Sequence, residues 1–284
     1  MRKGMIELHG AVVIMGATAL FAKLIHLPPK DIIAFRCLIA ALALFLFCRL
    51  TGTRLALDRR SDLGWLLLLG LIMAAHWVSF FTAIQMSGVG VGMAAFFSFT
   101  IMTVLMEPFF FRERMEGRDL AVAVNVFFGI YLAVPGGVSG GEVTVGAAFG
   151  IGSAFLYSLR NILYRKHLCR YPSSAMMCYQ TAIAGLVLIP FVTPGIDLLA
   201  ENRWIYLILL GVIFTAAAHT LFVGSLRTIS ASTAGLITSL EPIYGMIFAA
   251  LILSEIPEIR TVAGAIVVVG VAVYTSVRTH RAGK

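Results

Sequence analysis

Charge is scarce in this sequence. Aspartate, glutamate, lysine and arginine make up 13% of its 284 residues, where soluble domains carry roughly 25%. Hydrophobic residues make up 60%. That balance excludes a water-soluble globule and makes lipid the solvent. Cysteine is rarer still. The four present, Cys37, Cys48, Cys169 and Cys178, form no CxxC pair and no disulfide framework. They read as small apolar packing residues. Catalytic signatures are missing too. There is no HExxH, GxSxG or Walker A sequence and no paired metal-ligand spacing, so neither a metal nor a cofactor is implied. Gly88, Gly90 and Gly92 (GVGVG) lack the preceding strand and the following Gly-Lys pair of a phosphate loop. They read instead as the tightly packed start of a helix.

What the sequence does hold is long apolar runs. Residues 8–22, 63–106, 120–141, 143–159, 171–196, 204–226 and 261–277 carry no charged side chain. A spanning helix needs roughly 20 apolar residues, so 63–106 holds two, divided near Gln85–Gly92. The sequence predicts ten helices, at about 6–26, 32–50, 63–84, 90–111, 119–135, 146–165, 174–193, 203–223, 231–253 and 259–278. They are apolar on all sides without period-two alternation, which favours helices over barrel strands, the two structures that satisfy the backbone in lipid. Pro28, Pro29, Gly136, Gly137, Gly140, Gly141, Pro172, Pro194 and Gly195 all fall between predicted helices, as turn residues should. No cleavage site follows the first run; Lys23 and the two prolines stand there, so that segment is expected to be retained. The expected fold class is an all-α integral membrane protein.

The formal net charge of +8 is then a question of placement. With the N-terminus inside and ten alternating spans, sixteen of the 22 basic residues fall on the inner side, among them Arg49, Arg54, Arg59, Arg60, Arg165 and Arg170. Five (Lys23, Lys30, Arg36, Arg203 and Arg260) fall in outer loops or adjoining helix ends, and Arg160 lies within the sixth helix. Cytoplasmic loops carry the Lys and Arg excess. Both termini are therefore expected in the cytoplasm and the chain in the cell (inner) membrane. The cluster Arg54–Arg60 reads as topology signal and headgroup contact rather than a nucleic-acid surface.

A shift of 142 residues lays one half of the chain on the other. Leu67 and Leu68 fall on Leu209 and Leu210, Ala74 and Ala75 on Ala216 and Ala217, and Phe80 on Phe222. Glu113, Glu116 and Arg118 fall on Glu255, Glu258 and Arg260. Where charge is rare, the shared charged trio weighs more than shared Leu or Ala. Each half, 1–140 and 141–284, holds five predicted helices. Five is odd, so the second half enters the membrane the other way up, an inverted repeat. Such repeats are the basis of alternating access, with binding sites near the midplane where the repeats meet.

Three stretches carry a resemblance: 34–47 (AFRCLIAALALFLF), 98–114 (SFTIMTVLMEPFFFRER) and 239–255 (SLEPIYGMIFAALILSE). Together with ten helices in two five-helix halves, they resemble the EamA-type permeases of the drug/metabolite transporter superfamily over essentially the whole chain. The last stretch is similar to the family's pattern of an early proline, Pro242, and a glutamate 13 residues later, Glu255. In the first half Thr100 stands where Pro242 does, and Glu107 and Pro108 follow; this departure bears on the bend of that helix. The resemblance implies transport, with efflux of amino acids or related metabolites driven by protons or by the solute's own gradient. It implies no particular substrate.

Polar groups inside a membrane are costly, so each is a functional candidate. Glu241 sits about ten residues into the ninth predicted helix beside Pro242. Proline frees a carbonyl and bends a helix, which suits a cavity wall. The carboxyl suits proton carriage or binding of a cationic amine, and a packing role is the plainer reading. His76 and His219 lie one position apart under the 142 shift, and histidine titrates near neutral pH. Trp77 suits stacking on a substrate ring or cation, or packing alone. Lys23 and Arg36, toward outer helix ends, suit a carboxylate-bearing substrate or snorkel to the headgroups. Arg160 reads as snorkelling to the inner surface, with Tyr157 a turn deeper. Glu107 has Arg112 and Arg114 nearby as ion-pair partners, and Gly146 and Gly150 read as helix packing.

The expected function is secondary transport, specifically the export, of small organic solutes such as amino acids or related metabolites by alternating access. A channel-like or non-transporting membrane protein is the alternative, and an intramembrane enzyme the least favoured. Expected partners are a small-molecule substrate, the lipid bilayer, coupling protons and a second copy in a homodimer, with no nucleic acid.

Overall fold

The computed structural model describes residues 2–111, 124–125, 128–133, 141–225, 237–238 and 240–282. Every regular element among these residues is a helix. In chain order they are α1 (Arg2–Thr18), the single turn α2 (Phe21–Leu24), α3 (Pro29–Leu50), α4 (Asp62–Phe96), α5 (Phe99–Phe111), α6 (Glu142–His167), α7 (Ser173–Leu188), α8 (Arg203–Gly211), α9 (Ala218–Ser225), α10 (Glu241–Ile252) and α11 (Ile259–Ala282). Residues 128–133 are helical as well. The remainder of the predicted fifth helix, most of the first part of the ninth, and the pairing of Glu107 with Arg112 or Arg114 lie outside the described residues. Among the described residues, five helical stretches are long and apolar enough to cross a bilayer: Pro29–Leu50, Asp62–Phe96, Glu142–His167, Ser173–Phe191 and Ala200–Ala217.

The apolar residues serve two solvents. Phe81, Phe97, Ile32, Ile33, Ile84 and Met93 are fully buried in the main core. Leu63, Leu67 and Leu71, one helical turn apart on α4, are 52%, 47% and 47% exposed. A stripe of exposed leucines on a helix that also has a buried face is what a lipid-facing helix presents.

Helix breaks fall where side chains or glycine compete with the backbone. α4 is 35 residues long, about 52 Å at 1.5 Å per residue and too much for one crossing. It breaks at Gly88, whose φ of 82° and ψ of 164° are not helical. The Val89 N–H freed by the break donates to Glu255 Oε1 at 2.7 Å, and Glu255 Oε2 pairs with Lys23 Nζ at 2.9 Å. α6 packs along both sides of the break. A Cβ at Gly146 would lie 2.8 Å from the Ser87 Cβ, and one at Gly150 would lie 2.7 Å from the Ala95 Cβ, so both glycines serve close helix packing.

Other breaks differ from the expectation. The predicted helix 90–111 is interrupted at Phe97 and Ser98, where the Ser98 hydroxyl donates to the Ala95 carbonyl at 2.7 Å and competes with the helical ladder. The predicted helix 6–26 is interrupted at Ala19 and Leu20, with no glycine or proline to mark it. Between α8 and α9 the chain makes a π turn, Val212–Ala217.

Polar contacts collect at two opposite ends of the bundle. At one end Lys23 meets Glu255, His26 Nδ1 meets Glu201 at 2.9 Å, and the buried Asp31 accepts from the Thr193 N–H at 3.0 Å and its hydroxyl at 2.8 Å. At the other, Tyr171 donates to Asp62 at 2.6 Å, Arg170 pairs with the same carboxylate, and the rings of Trp65 and His167 stack at 3.6 Å. Between these ends lies a cavity.

Candidate functional site

The cavity has a volume of about 270 Å³. It is assembled from α1, α3, α4, α5, α6, α7 and the α8–α10 segment. Its charged and polar walls are Arg36, His76, Arg160, Gln180, His219 and Glu241; its apolar walls include Trp77, Phe80, Phe96, Phe99, Tyr157, Phe214, Met176 and Met177. The depth follows from helix length. α10 runs 12 residues from Glu241 toward Glu255, about 18 Å. Glu241 therefore sits well inside the bundle, and it is 8% exposed.

Each polar side chain is held differently. Arg36 is 2% exposed. Its Nε donates to the Thr215 hydroxyl at 2.7 Å, and that hydroxyl donates to the Leu210 carbonyl at 2.7 Å. Thr215 lies in the π turn, a backbone form that recurs at functional sites. The Arg36 guanidinium carbon stands 4.2 Å from the Trp77 ring centroid, within cation–π range. Arg160 is held in a polar cradle: Nε donates to Gln180 Oε1 at 2.7 Å, one Nη to Asn161 Oδ1 at 3.4 Å, and the other contacts the Met177 sulfur at 3.2 Å.

His76 Nδ1 lies 2.7 Å from the Ser153 hydroxyl oxygen, and that hydroxyl donates to the His76 carbonyl at 3.0 Å. Because the hydroxyl's single proton is committed, the network assigns the proton to Nδ1 and leaves Nε2 as an acceptor. Trp77 lies between the two histidines, 6.4 Å centroid to centroid from each. Among the described residues, the Glu241 carboxylate has neither a hydrogen-bond nor an ion-pair partner. No three His, Cys, Asp or Glu side chains among the described residues converge as a metal site would require.

The sequence pattern of one transporter family matches twice, over residues 2–134 and again over 144–277. The chain belongs to the EamA-like transporter family. It is thus a multi-pass membrane protein of the drug/metabolite transporter superfamily. An uncharacterized transporter, YxxF, of Bacillus subtilis is 24% identical over 96% of this chain and 89% of its own length. The pseudopaline exporter CntI of Pseudomonas aeruginosa PAO1 is 26% identical over 86% of this chain and 84% of its own. A protein of known crystal structure shares the fold, with a TM-score of 0.68 over 100% of both chains at 18% identity.

In this EamA-family chain the cavity brings together six sequence-predicted residues: Glu241, His76, His219, Trp77, Arg36 and Tyr157. Lys23 is elsewhere, at the end of the bundle in its pair with Glu255. Pro242 falls in the first turn of α10, just after a turn at Leu240, where its missing N–H costs nothing. The backbone of Pro108 lies within α5. Of the two roles the sequence left open for Arg36, headgroup contact does not fit, because it is buried against Trp77 and Thr215. One expectation needs correction: Arg160 does not snorkel, because Gln180 and Asn161 hold its head in the cavity wall. Gln180 and Thr215 were not singled out in the sequence. Gln180, 1% exposed, carries a readable signal as a lone amide in an apolar helix. Thr215 carries none.

Proposed function

We propose that this chain is a secondary transporter of the inner membrane that exports small organic solutes, such as amino acids or related metabolites, by alternating access. The cavity carries this reading. It gathers buried and half-buried polar side chains from both family-matched segments, Arg36 and His76 from the first and Tyr157, Arg160, His219 and Glu241 from the second. Ten spans in two inverted five-helix repeats, 1–140 and 141–284, with both termini cytoplasmic, supply two packings that open this cavity to either side in turn. A gradient of protons or of the solute drives the cycle, with Glu241 and the two histidines as the groups able to exchange a proton. The exporter CntI, similar over most of its length, is in keeping with outward movement of a small metabolite.

The test starts with a thermal-shift screen of the purified protein against a metabolite library. Each solute that stabilises it is then followed in proteoliposomes. Alternating access gives counterflow: liposomes preloaded with unlabelled solute accumulate the labelled solute transiently, which a channel does not. Glu241→Gln is expected to abolish the flux with an unchanged melting profile. Equal flux without counterflow would replace the transporter by a channel. Flux no higher than in empty liposomes for every stabilising solute would defeat transport altogether.

A further inference from the structure

The cavity reaches one end of the bundle and stops short of the other. Along α6 its lining runs from Tyr157 to Tyr164. Tyr164 lies three residues, about 4.5 Å, from the end of that helix at His167, whereas Tyr157 lies fifteen residues, about 22 Å, from its start at Glu142. Ser173, the first residue of α7, lines the cavity too. The approach from the Asp62–Arg170 end is therefore short, while the approach from the Lys23–Glu255 end is filled.

Part of what fills it is α2. This single turn is set off on one side by the break at Ala19 and Leu20, and on the other by Ile25, whose φ of −92° and ψ of 96° are extended, and by Pro28. A turn with a break on each side is joined to its neighbours by a few residues able to absorb a change of φ and ψ, the anatomy of a hinged element. Phe21, 5% exposed, packs on Phe214 of the cavity wall at 4.6 Å between ring centroids and edge-on to Tyr206 at 6.3 Å. Two residues on, Lys23 pairs with Glu255, the carboxylate that also receives the Val89 N–H at the Gly88 break. Gln85 Nε2 donates to the Ala22 carbonyl at 2.7 Å and to the Leu27 carbonyl at 3.0 Å.

The contacts that hold α2 down cross between the two family-matched segments. Phe21 and Lys23 belong to the first, Tyr206, Phe214 and Glu255 to the second. These are the contacts that part when one half rocks against the other. The 142-residue shift that lays Glu113 on Glu255 also lays Lys23 on Arg165, which ties the opposite charges to the repeat rather than to chance packing at one end. With side chains 32% and 27% exposed, the Lys23–Glu255 pair is a weak one, as a contact broken in every cycle has to be.

Resting on the alternating-access reading above, we infer that α2 is the gate at the Lys23 end of the cavity: Phe21 is its plug, the Lys23–Glu255 pair its latch, and the breaks on either side its hinges.

The test measures how fast an impermeant thiol reagent reaches Thr18→Cys, which lines the cavity below α2, in a protein whose exposed Cys169 is replaced by serine. Labelling of Cys169 in the wild type first tells which preparation, intact cells or inverted vesicles, presents the Lys23 end. From that side Lys23→Met should speed the labelling about 2- to 5-fold, the range for losing a partly exposed ion pair, and from the opposite side it should slow it, because one population grows at the expense of the other. Lys23→Arg keeps the charge and should restore the parent rates. Phe21→Ala removes the plug and should speed labelling from the Lys23 side further. A rate from that side unchanged by either substitution overturns the assignment. So does an equal rise from both sides, which signals loosened packing instead of a gate. Met15→Cys, another lining position on α1, serves as the probe if Thr18→Cys does not fold. Labelling needs no substrate, so the gate can fail while counterflow still supports transport. Labelling that responds as expected without counterflow for any solute would uphold the gate and defeat the transporter reading.

Discussion

Replacing Gly88 by alanine would strain two connected parts of the molecule at once. Gly88 holds φ 82° and ψ 164°, a region open essentially to glycine alone, and forcing another residue there costs about 1–3 kcal/mol. The new Cβ would also run into Glu255 Oε1, the atom that accepts the Val89 N–H at 2.7 Å. Displacing it loses a hydrogen bond to a charged group, about 1.5–3 kcal/mol. The Lys23 partner is 32% exposed, so disturbing that ion pair adds less than about 1 kcal/mol. The expected total is about 2.5–7 kcal/mol, a large share of a typical folding free energy. Equilibrium unfolding in bicelles measures it, in a double-mutant cycle with Glu255→Ala. Without the Glu255 side chain, Gly88→Ala should cost only the backbone part, about 1–3 kcal/mol. A Gly88→Ala protein within about 0.5 kcal/mol of wild type would refute the reasoning. So would an equal cost with and without Glu255.

Orientation is testable with a cysteine already present. Cys169 is exposed while Cys37, Cys48 and Cys178 are buried, and Leu199, at the opposite end of the bundle, is 77% exposed. With both termini inside, a membrane-impermeant maleimide on intact cells should label Leu199→Cys and reach Cys169 only after permeabilisation; the reverse pattern would invert the topology. Gly211→Val should lower both thermal stability and flux, because a Cβ there would lie 2.6 Å from Ile39 Cγ2 and 3.2 Å from the Arg36 carbonyl, an overpacking worth about 1–3 kcal/mol. Gly152→Val, with nothing within 4 Å of its Cβ position, is the control and should behave as wild type.

Much of the architecture was legible because lipid demands it. A helix apolar on every side announces itself over twenty residues, and Gly88 broke the longest run within the stretch Gln85–Gly92 where glycine made a break readable. The break at Ser98 was not readable, because serine ends a helix only when its hydroxyl turns back on the backbone, a choice made by packing. The π turn at Val212–Ala217 has no compositional mark at all. The site was legible to the extent that it relies on rare residue types: Glu241, His76, His219 and Trp77 stood out against an apolar background. Arg36 was visible with two roles open, and Arg160 was visible but misjudged. Depth along a helix can be counted from its end, whereas the direction a side chain faces depends on neighbours such as Thr215 and Gln180, which lie 179 and 20 residues away in sequence. Lys23 was ambiguous for the same reason until Glu255 appeared beside it.

The π turn has a consequence for how the segment 203–225 can vary. An α-helix turns about 100° per residue, and a π turn takes up one residue more than the α ladder would. Side chains after Ala217 are therefore out of phase by about that angle with a helical wheel drawn from Arg203. His219 and Phe222 reach the cavity only in the shifted phase. Residue count, not residue identity, decides this. Substitutions within 212–217 that keep Phe214 and Thr215 leave the wall intact, while removal of a single residue would restore a regular ladder, rotate α9 as a unit and turn His219 away. The stretch can drift in composition and still tolerate no change in length.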